Sequence, residues 1–282
     1  MVRAKDILTY AAGCVAAALI AACFVTAAGA EQTATTLHGR AYMFRGLIGM
    51  IDWGMDQLAQ RIDRAGVAAD IEGYSAWRSV ATQAIADYRR DPKPITVIGH
   101  SIGGDSAVQF AEALEGAHVP VSLLITYDPT RAAHPIPANV ERYINLYQSS
   151  NILGGGDLEP GRGFHGHYAS YNLKDRPEIV HINLDKFDAI QQQLAAKVRS
   201  AAARGEGDAV PLRLVPPATG AIELWDSGEP VAAHAGDTLQ TVAATNHVPL
   251  WALIQLNPKS EHAALTEGER IVVPRYLGAK SH

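Results

Sequence analysis

Cysteine is almost missing from this chain of 282 residues: Cys14 and Cys23 are its two, and both fall inside one apolar run near the N-terminus. Nine residues apart on one helix, they would stand about 13 Å from each other, too far to bond. Everything after that run is free of cysteine, so its fold rests on burial and not on covalent staples. Charge is sparse too, at 19%. The formal net charge is −5 and no Lys/Arg cluster stands against it, which excludes the electrostatic footprint of a nucleic-acid partner. Hydrophobic residues, by contrast, make up 48%, enough for a sizeable core in one large domain or two.

Between Ile7 and Ala30 there is no charged residue at all, while Arg3 and Lys5 precede the run. A charge-free stretch of that length can cross a bilayer as a helix. The basic start, apolar centre and Ala28-Gly29-Ala30 equally fit a cleaved secretory signal. Ile20-Ala21-Ala22-Cys23 also resembles a bacterial lipoprotein box, although Phe24-Val25 is less polar than the usual tether. Each reading of segment 1–30, signal peptide or membrane anchor, exports the rest of the chain to the periplasm or cell envelope, with anchoring at the inner membrane left open.

Strand and helix signals then alternate. Ala41–Phe44 and Val67–Ile71 read as strands, Met55–Ala65 and Trp77–Arg89 as amphipathic helices. Ile95–Ile98 is a β-branched strand and Asp105–Leu114 a helix. Val121–Tyr127, Arg142–Tyr147 and Ile179–Ile182 read as further strands, and Phe187–Ala201 as a closing helix. Strands alternating with helices and apolar on both faces predict a mostly parallel α/β sheet over residues 37–203. Gly154–His167 reads as an irregular glycine-rich loop. Residues 204–228, rich in Gly, Pro and Ala around Gly205–Gly220, read as a linker.

The most informative stretch is Ile95-Thr-Val-Ile-Gly-His-Ser-Ile-Gly-Gly104. It frames Ser101 in Gly-x-Ser-x-Gly between a strand and a helix, the setting of a nucleophile elbow. Side chains at Gly99, Gly103 or Gly104 would collide with neighbouring backbone there. A serine hydroxyl needs a positioned imidazole, itself oriented by a carboxylate. Asp128 ends an apolar strand, stopped by Pro129, and is the leading acid; Asp157 and Asp175 are alternatives. His181 is the leading base because it follows the acid-bearing strand. His165 and His167, in the glycine-rich loop, are its rivals, and His100 reads as a support of the turn. His165, His167 and Asp157 could also group around a metal, but the spacing is common and no metal or organic cofactor is expected. Backbone N–H groups of Ile102 and Leu47, the latter after Arg45-Gly46, are the expected oxyanion donors.

On Phe44-Arg-Gly-Leu47, the Gly-His-Ser-Ile-Gly-Gly run, Tyr127-Asp-Pro129 and Val180-His-Ile182, residues 41–200 resemble the α/β-hydrolase superfamily in its lipase- and thioesterase-like branches. The resemblance implies an ester- or thioester-cleaving serine hydrolase with a Ser101–Asp128–His181 triad. Many members carry the acid one strand later, which keeps Asp157 and Asp175 open. No large cap is visible between strands, so Gly154–Tyr168 is the expected substrate cover.

Beyond the linker, Val231-Ala-Ala-His-Ala-Gly-Asp-Thr-Leu239, Val242-Ala-Ala, Leu253-Ile-Gln-Leu-Asn-Pro258 and the Leu265–Pro274 segment resemble a LysM domain over 229–277. The resemblance implies a βααβ unit that binds N-acetylglucosamine glycans such as peptidoglycan. Its groove would involve Gly236, Asp237, Thr238, Leu239, Leu256, Asn257 and Pro258. The combined expectation is an exported serine hydrolase held at the cell wall. The rival is a non-catalytic envelope protein whose degenerate hydrolase domain serves as a scaffold.

Overall fold

A computed structural model of the protein describes residues 39–47, 53–203, 222–257 and 259–275. The expected export segment 1–30, most of the expected linker and Pro258 lie outside the described residues. No helix among the described residues is long and apolar enough to cross a membrane.

Six parallel strands make the main sheet: β1 (Arg40–Arg45), β2 (Ala68–Gly73), β3 (Ile95–His100), β4 (Leu123–Tyr127), β5 (Arg142–Tyr147) and β6 (His167–Asn172). Their spatial order is β2-β1-β3-β4-β5-β6. Helices α1 (Trp53–Arg64), α2 (Trp77–Arg90), α3 (Ile102–Gly116) and α4 (Asp188–Ala202) cover it on both faces. The two-residue strand period sorts the core. Ala41, Met43, Ile98 and Ile125 meet α1 and α4 on one face, while Tyr42, Phe44, Val97 and Leu124 meet α2 and α3 on the other. Burial on both faces is what makes β1, β3 and β4 near-continuous apolar runs in the sequence. This mostly parallel, helix-flanked sheet is consistent with an α/β-hydrolase fold.

The order reverses between β1 and β3. Carboxyl ends of strands splay apart at such a switch point and leave a crevice there.

Two expectations are corrected. Ile179–Ile182 forms no strand; it is a turn leading into a short 3₁₀ segment at Leu184–Lys186 and then α4. The last strand is instead β6, from a segment whose start reads as irregular loop in the sequence. Its residues, His-Tyr-Ala-Ser-Tyr-Asn, are too polar to announce a strand, yet five of the six are buried.

The C-terminal segment forms a βααβ unit. Strands β7 (Asp226–Ala232) and β8 (Arg270–Arg275) pair antiparallel around α5 (Leu239–Thr245) and α6 (Leu250–Leu256). Thr238 caps α5, its side chain accepting from the Thr241 N–H in a reciprocal capping box. Leu239, Val242, Leu253, Leu265 and Ile271 fill the small core.

The expected linker is not free over its last residues. Leu224 and Trp225 are buried in the same apolar cluster as α1 and α4, and Leu256 joins it. The Tyr171 hydroxyl on β6 bonds both the N–H and the carbonyl of Trp225. Gln193 on α4 accepts from the Leu224 N–H and donates to the Ile222 carbonyl.

Candidate active site

The elbow is a product of backbone sterics. Ser101 takes φ 57° and ψ −129°, a positive-φ conformation that non-glycine residues rarely hold. Its N–H donates to the Tyr127 carbonyl at 2.8 Å. A Cβ at Gly99 would overlap the Gly103 carbonyl, and one at Gly103 would overlap the Phe44 and Arg45 carbonyls. Gly104 is less confined, its nearest neighbour being Pro129 Cβ at 3.1 Å. The absence of a side chain at Gly103 lets the end of β1 run beside the N-terminus of α3.

Asp128 follows β4 at the neighbouring carboxyl end. It too has positive φ, 45°, which the short polar side chain of Asp tolerates. Its carboxylate is 0% exposed and accepts four hydrogen bonds. Oδ1 receives the N–H of Gly155 at 2.7 Å and of Gln148 at 3.1 Å. Oδ2 receives Asn151 Nδ2 at 2.6 Å and His181 Nδ1 at 2.8 Å. Two donors on each oxygen offset the penalty of burying a carboxylate.

His181 completes the chain, with Nε2 2.9 Å from Ser101 Oγ. Because Nδ1 faces a carboxylate it carries the proton, which leaves Nε2 as the acceptor for the serine hydroxyl. The turn bearing His181 is pinned by distant side chains. His100 Nε2 donates to the His181 carbonyl at 2.9 Å, and Gln148 Nε2 donates to the Ile179 carbonyl. Within the turn, Asn183 accepts from the Val180 N–H at 2.8 Å and donates to the Glu178 carbonyl at 3.0 Å.

The rivals lie elsewhere. His167 starts β6 opposite Arg142, at the amino end of the sheet and about 17 Å of strand from the carboxyl edge. His165 is exposed two residues before it, and Asp175 is exposed in the turn after β6. Asp157 accepts from Tyr147 Oη and Ser170 Oγ, both at 2.8 Å. Among the described residues no three His, Cys, Asp or Glu side chains cluster as metal ligands.

Gly154–Tyr168 is no cover, and this expectation is corrected. Gly154–Gly156 are buried beneath Asp128, Pro129 and Thr130, where a Cβ at Gly154 would stand 2.6 Å from Asp128 Cγ. Asn145 Nδ2 holds the Gly156 carbonyl at 2.9 Å from below. Gln148, Asn151 and Gly155 escape the sequence as partners of Asp128; the Gly-Gly-Gly run just after an apolar strand is the one signal that points to them.

Near the elbow Asp105, in the first turn of α3, accepts from the Thr130 N–H at 2.9 Å and its hydroxyl at 2.6 Å. Burial raises the pKa of its carboxyl, and the Thr130 bonds partly oppose that. On the other side, an open groove of about 480 Å³ runs between the ends of β1 and β2, past Leu47, Tyr74 and the Arg45–Asp56 ion pair.

In the C-terminal unit three expected glycan residues turn inward. Leu239 and Leu256 are buried. Asn257 is buried as well, its amide bonding the Leu253 carbonyl and both backbone groups of Val272, all at 2.8 Å. Gly236, Asp237 and Thr238 remain accessible.

No protein-family model matches the chain, and no curated protein does. Among solved structures it is similar to a protein from Xanthomonas campestris pv. campestris, provisionally described as a hydrolase of the alpha/beta superfamily: 17% identity over 44% of this chain and 76% of that one, TM-score 0.31. It is also similar to the NocB thioesterase domain from the nocardicin cluster, at 14% identity over 59% of this chain and 95% of that one, TM-score 0.36. At these values neither likeness bears on what the chain does.

Proposed function

We propose that the chain is a serine hydrolase that cleaves an ester or thioester. The observation that carries this reading is the continuous hydrogen-bonded line Ser101 Oγ–His181–Asp128 at the carboxyl edge of the sheet. Ser101 Oγ attacks the substrate carbonyl carbon while His181 Nε2 takes its proton. The developing oxyanion is met by the N–H of Ile102, at the first turn of α3, and by that of Leu47, beyond β1. The tetrahedral intermediate collapses as Nε2 protonates the departing alkoxide or thiolate. Water, deprotonated by the same nitrogen, then releases the acid from Ser101. Asp128 holds the imidazole in the tautomer that makes this possible and stabilises the imidazolium that forms.

A serine-directed fluorophosphonate should label the wild type and spare Ser101→Ala, with the circular dichroism of the two alike. Equal labelling would defeat the assignment.

The βααβ unit, in this reading, binds an N-acetylglucosamine glycan such as peptidoglycan through its accessible Gly236–Thr238 loop. Sedimentation with purified peptidoglycan should weaken in Asp237→Ala. The charge-free run from Ile7 to Ala30 motivates placing the protein in the cell envelope. Fractionation of cells producing the full chain tests that placement.

A further inference from the structure

Among the described residues, the large hydrophobic side chains left exposed are Leu47, Trp53, Ile152, Leu153, Val180 and Ile182. Scattered exposure of this kind is ordinary, but a collection at one place is not. Each of these six belongs to a segment linked by contact to the elbow or to the Ser101–His181–Asp128 line. Leu47 follows β1 beside the elbow and is 68% exposed. Val180 and Ile182 flank His181. Ile152, 89% exposed, and Leu153 follow Asn151, whose amide bonds Asp128. Trp53 opens α1 and carries Lys186 over its ring, and Lys186 in turn bonds the Ile182 carbonyl. The surface of α2, farther from the site, leaves no large hydrophobic side chain exposed.

We infer that these side chains form an apolar collar for the acyl chain of the substrate, and that the preferred substrates are esters or thioesters of medium or long aliphatic acids. The inference rests on the hydrolase reading above. A carbonyl placed at Ser101 Oγ must lead its two substituents out across the rim of the site. Apart from Leu47, the groove on the β1–β2 side offers Tyr74, Ser75 and an ion pair, a poorer surface for a hydrocarbon than the opposite rim. The rim formed by Ile152, Leu153, Val180 and Ile182 is apolar, so the acyl chain lies there. Fully burying a methylene is worth about fourfold in affinity, and half-covering it on an open rim about twofold.

The test uses the full chain and a series of p-nitrophenyl esters from acetate to octanoate, all below their critical micelle concentrations. The expected result is a kcat/KM that rises about twofold per methylene, to about 60-fold at octanoate. In Ile152→Ser/Leu153→Ser, and separately in Val180→Ser/Ile182→Ser, the octanoate-to-acetate ratio should fall about tenfold. Thr82→Ala, on the far surface of α2, should leave the ratio as it is. A flat series that still depends on Ser101 overturns the collar and leaves the hydrolase reading standing. A gradient that appears only above the micelle concentration also overturns it, and makes the rim a docking face for lipid surfaces. Hydrolysis that survives Ser101→Ala, or that no ester supports, removes the hydrolase reading and the collar together.

Discussion

Ser101 and His181 face each other across 2.9 Å, yet they are put in place by different means. The elbow is local: strand β3, three glycines and the start of α3 force the serine into its strained conformation. Beyond these, the close approach of β1 and one hydrogen bond from the Ser101 N–H to Tyr127 on β4 take part. His181 sits on a turn with no strand beneath it, held by His100, Gln148 and Asp128 from three other parts of the chain. A contiguous peptide can encode the nucleophile, whereas the base depends on the whole sheet being assembled. Damage to the elbow should therefore be abrupt, and damage to the histidine turn graded.

The largest effect should come from Gly103→Ala. The new methyl would overlap the Phe44 and Arg45 carbonyls, which are backbone and cannot swing away. We expect a stability loss of about 3 kcal/mol and loss of fluorophosphonate labelling. Urea titration and labelling check both. A variant that is labelled normally would mean the elbow is more pliant than the glycines suggest.

The next effect bears on the histidine side. Ile179, the buried anchor of the His181 turn, shares its apolar cluster with Trp225 from the C-terminal segment. Trp225→Ala should cost about 3 kcal/mol and lower Tm by about 8 °C. A single cooperative transition by calorimetry is expected, because the segment is part of the same core. Two separate transitions with the larger unit unchanged would show the C-terminal region to be merely tethered.

How much is legible in the sequence divides along the same line. Strands β1, β3 and β4 are legible because their apolar runs are contiguous or nearly so, β5 because only Asn145 interrupts its run, and the elbow because its glycines are close together in the chain. Order along the chain points to Ser101, Asp128 and His181, and the structure brings the three into one line. The strand expected to carry His181 is nevertheless absent: the apolar look of Ile179–Ile182 comes from one buried anchor and two exposed rim residues. Strand β6 escapes because its polar groups, Ser170 among them, are satisfied by Asp157 and Asn145, which are distant in sequence. The partners of Asp128 escape for the same reason, since two of its donors are backbone N–H groups.

Gln148→Glu tests the graded side directly. It keeps the shape of the side chain but removes the donor to the Ile179 carbonyl. Loss of one such bond in a part-buried setting should lower kcat about tenfold, with KM little changed and Tm nearly constant. Serine labelling should slow and not vanish. An unchanged kcat would leave His100 and Asp128 as sufficient supports for the base.

The smallest effect lies in the βααβ unit, where a surface ion pair joins the segment after α6 to the start of β8. Lys259 pairs with Glu269, and Glu269 also accepts the N–H of Thr266 at 2.9 Å. The Lys259 bond comes first among the causes that lower the Glu269 pKa from 4.5 to about 2. A carboxyl whose folded-state pKa is depressed stabilises the fold above its unfolded value and loses that contribution as pH falls toward the folded one. The Tm difference between wild type and Glu269→Gln should therefore be small but measurable at pH 7. It should shrink between about pH 4.5 and pH 2, and added salt should diminish it because the pair is at the surface. A difference that stays constant down to pH 2 would mean that the glutamate acts through packing and not through its charge.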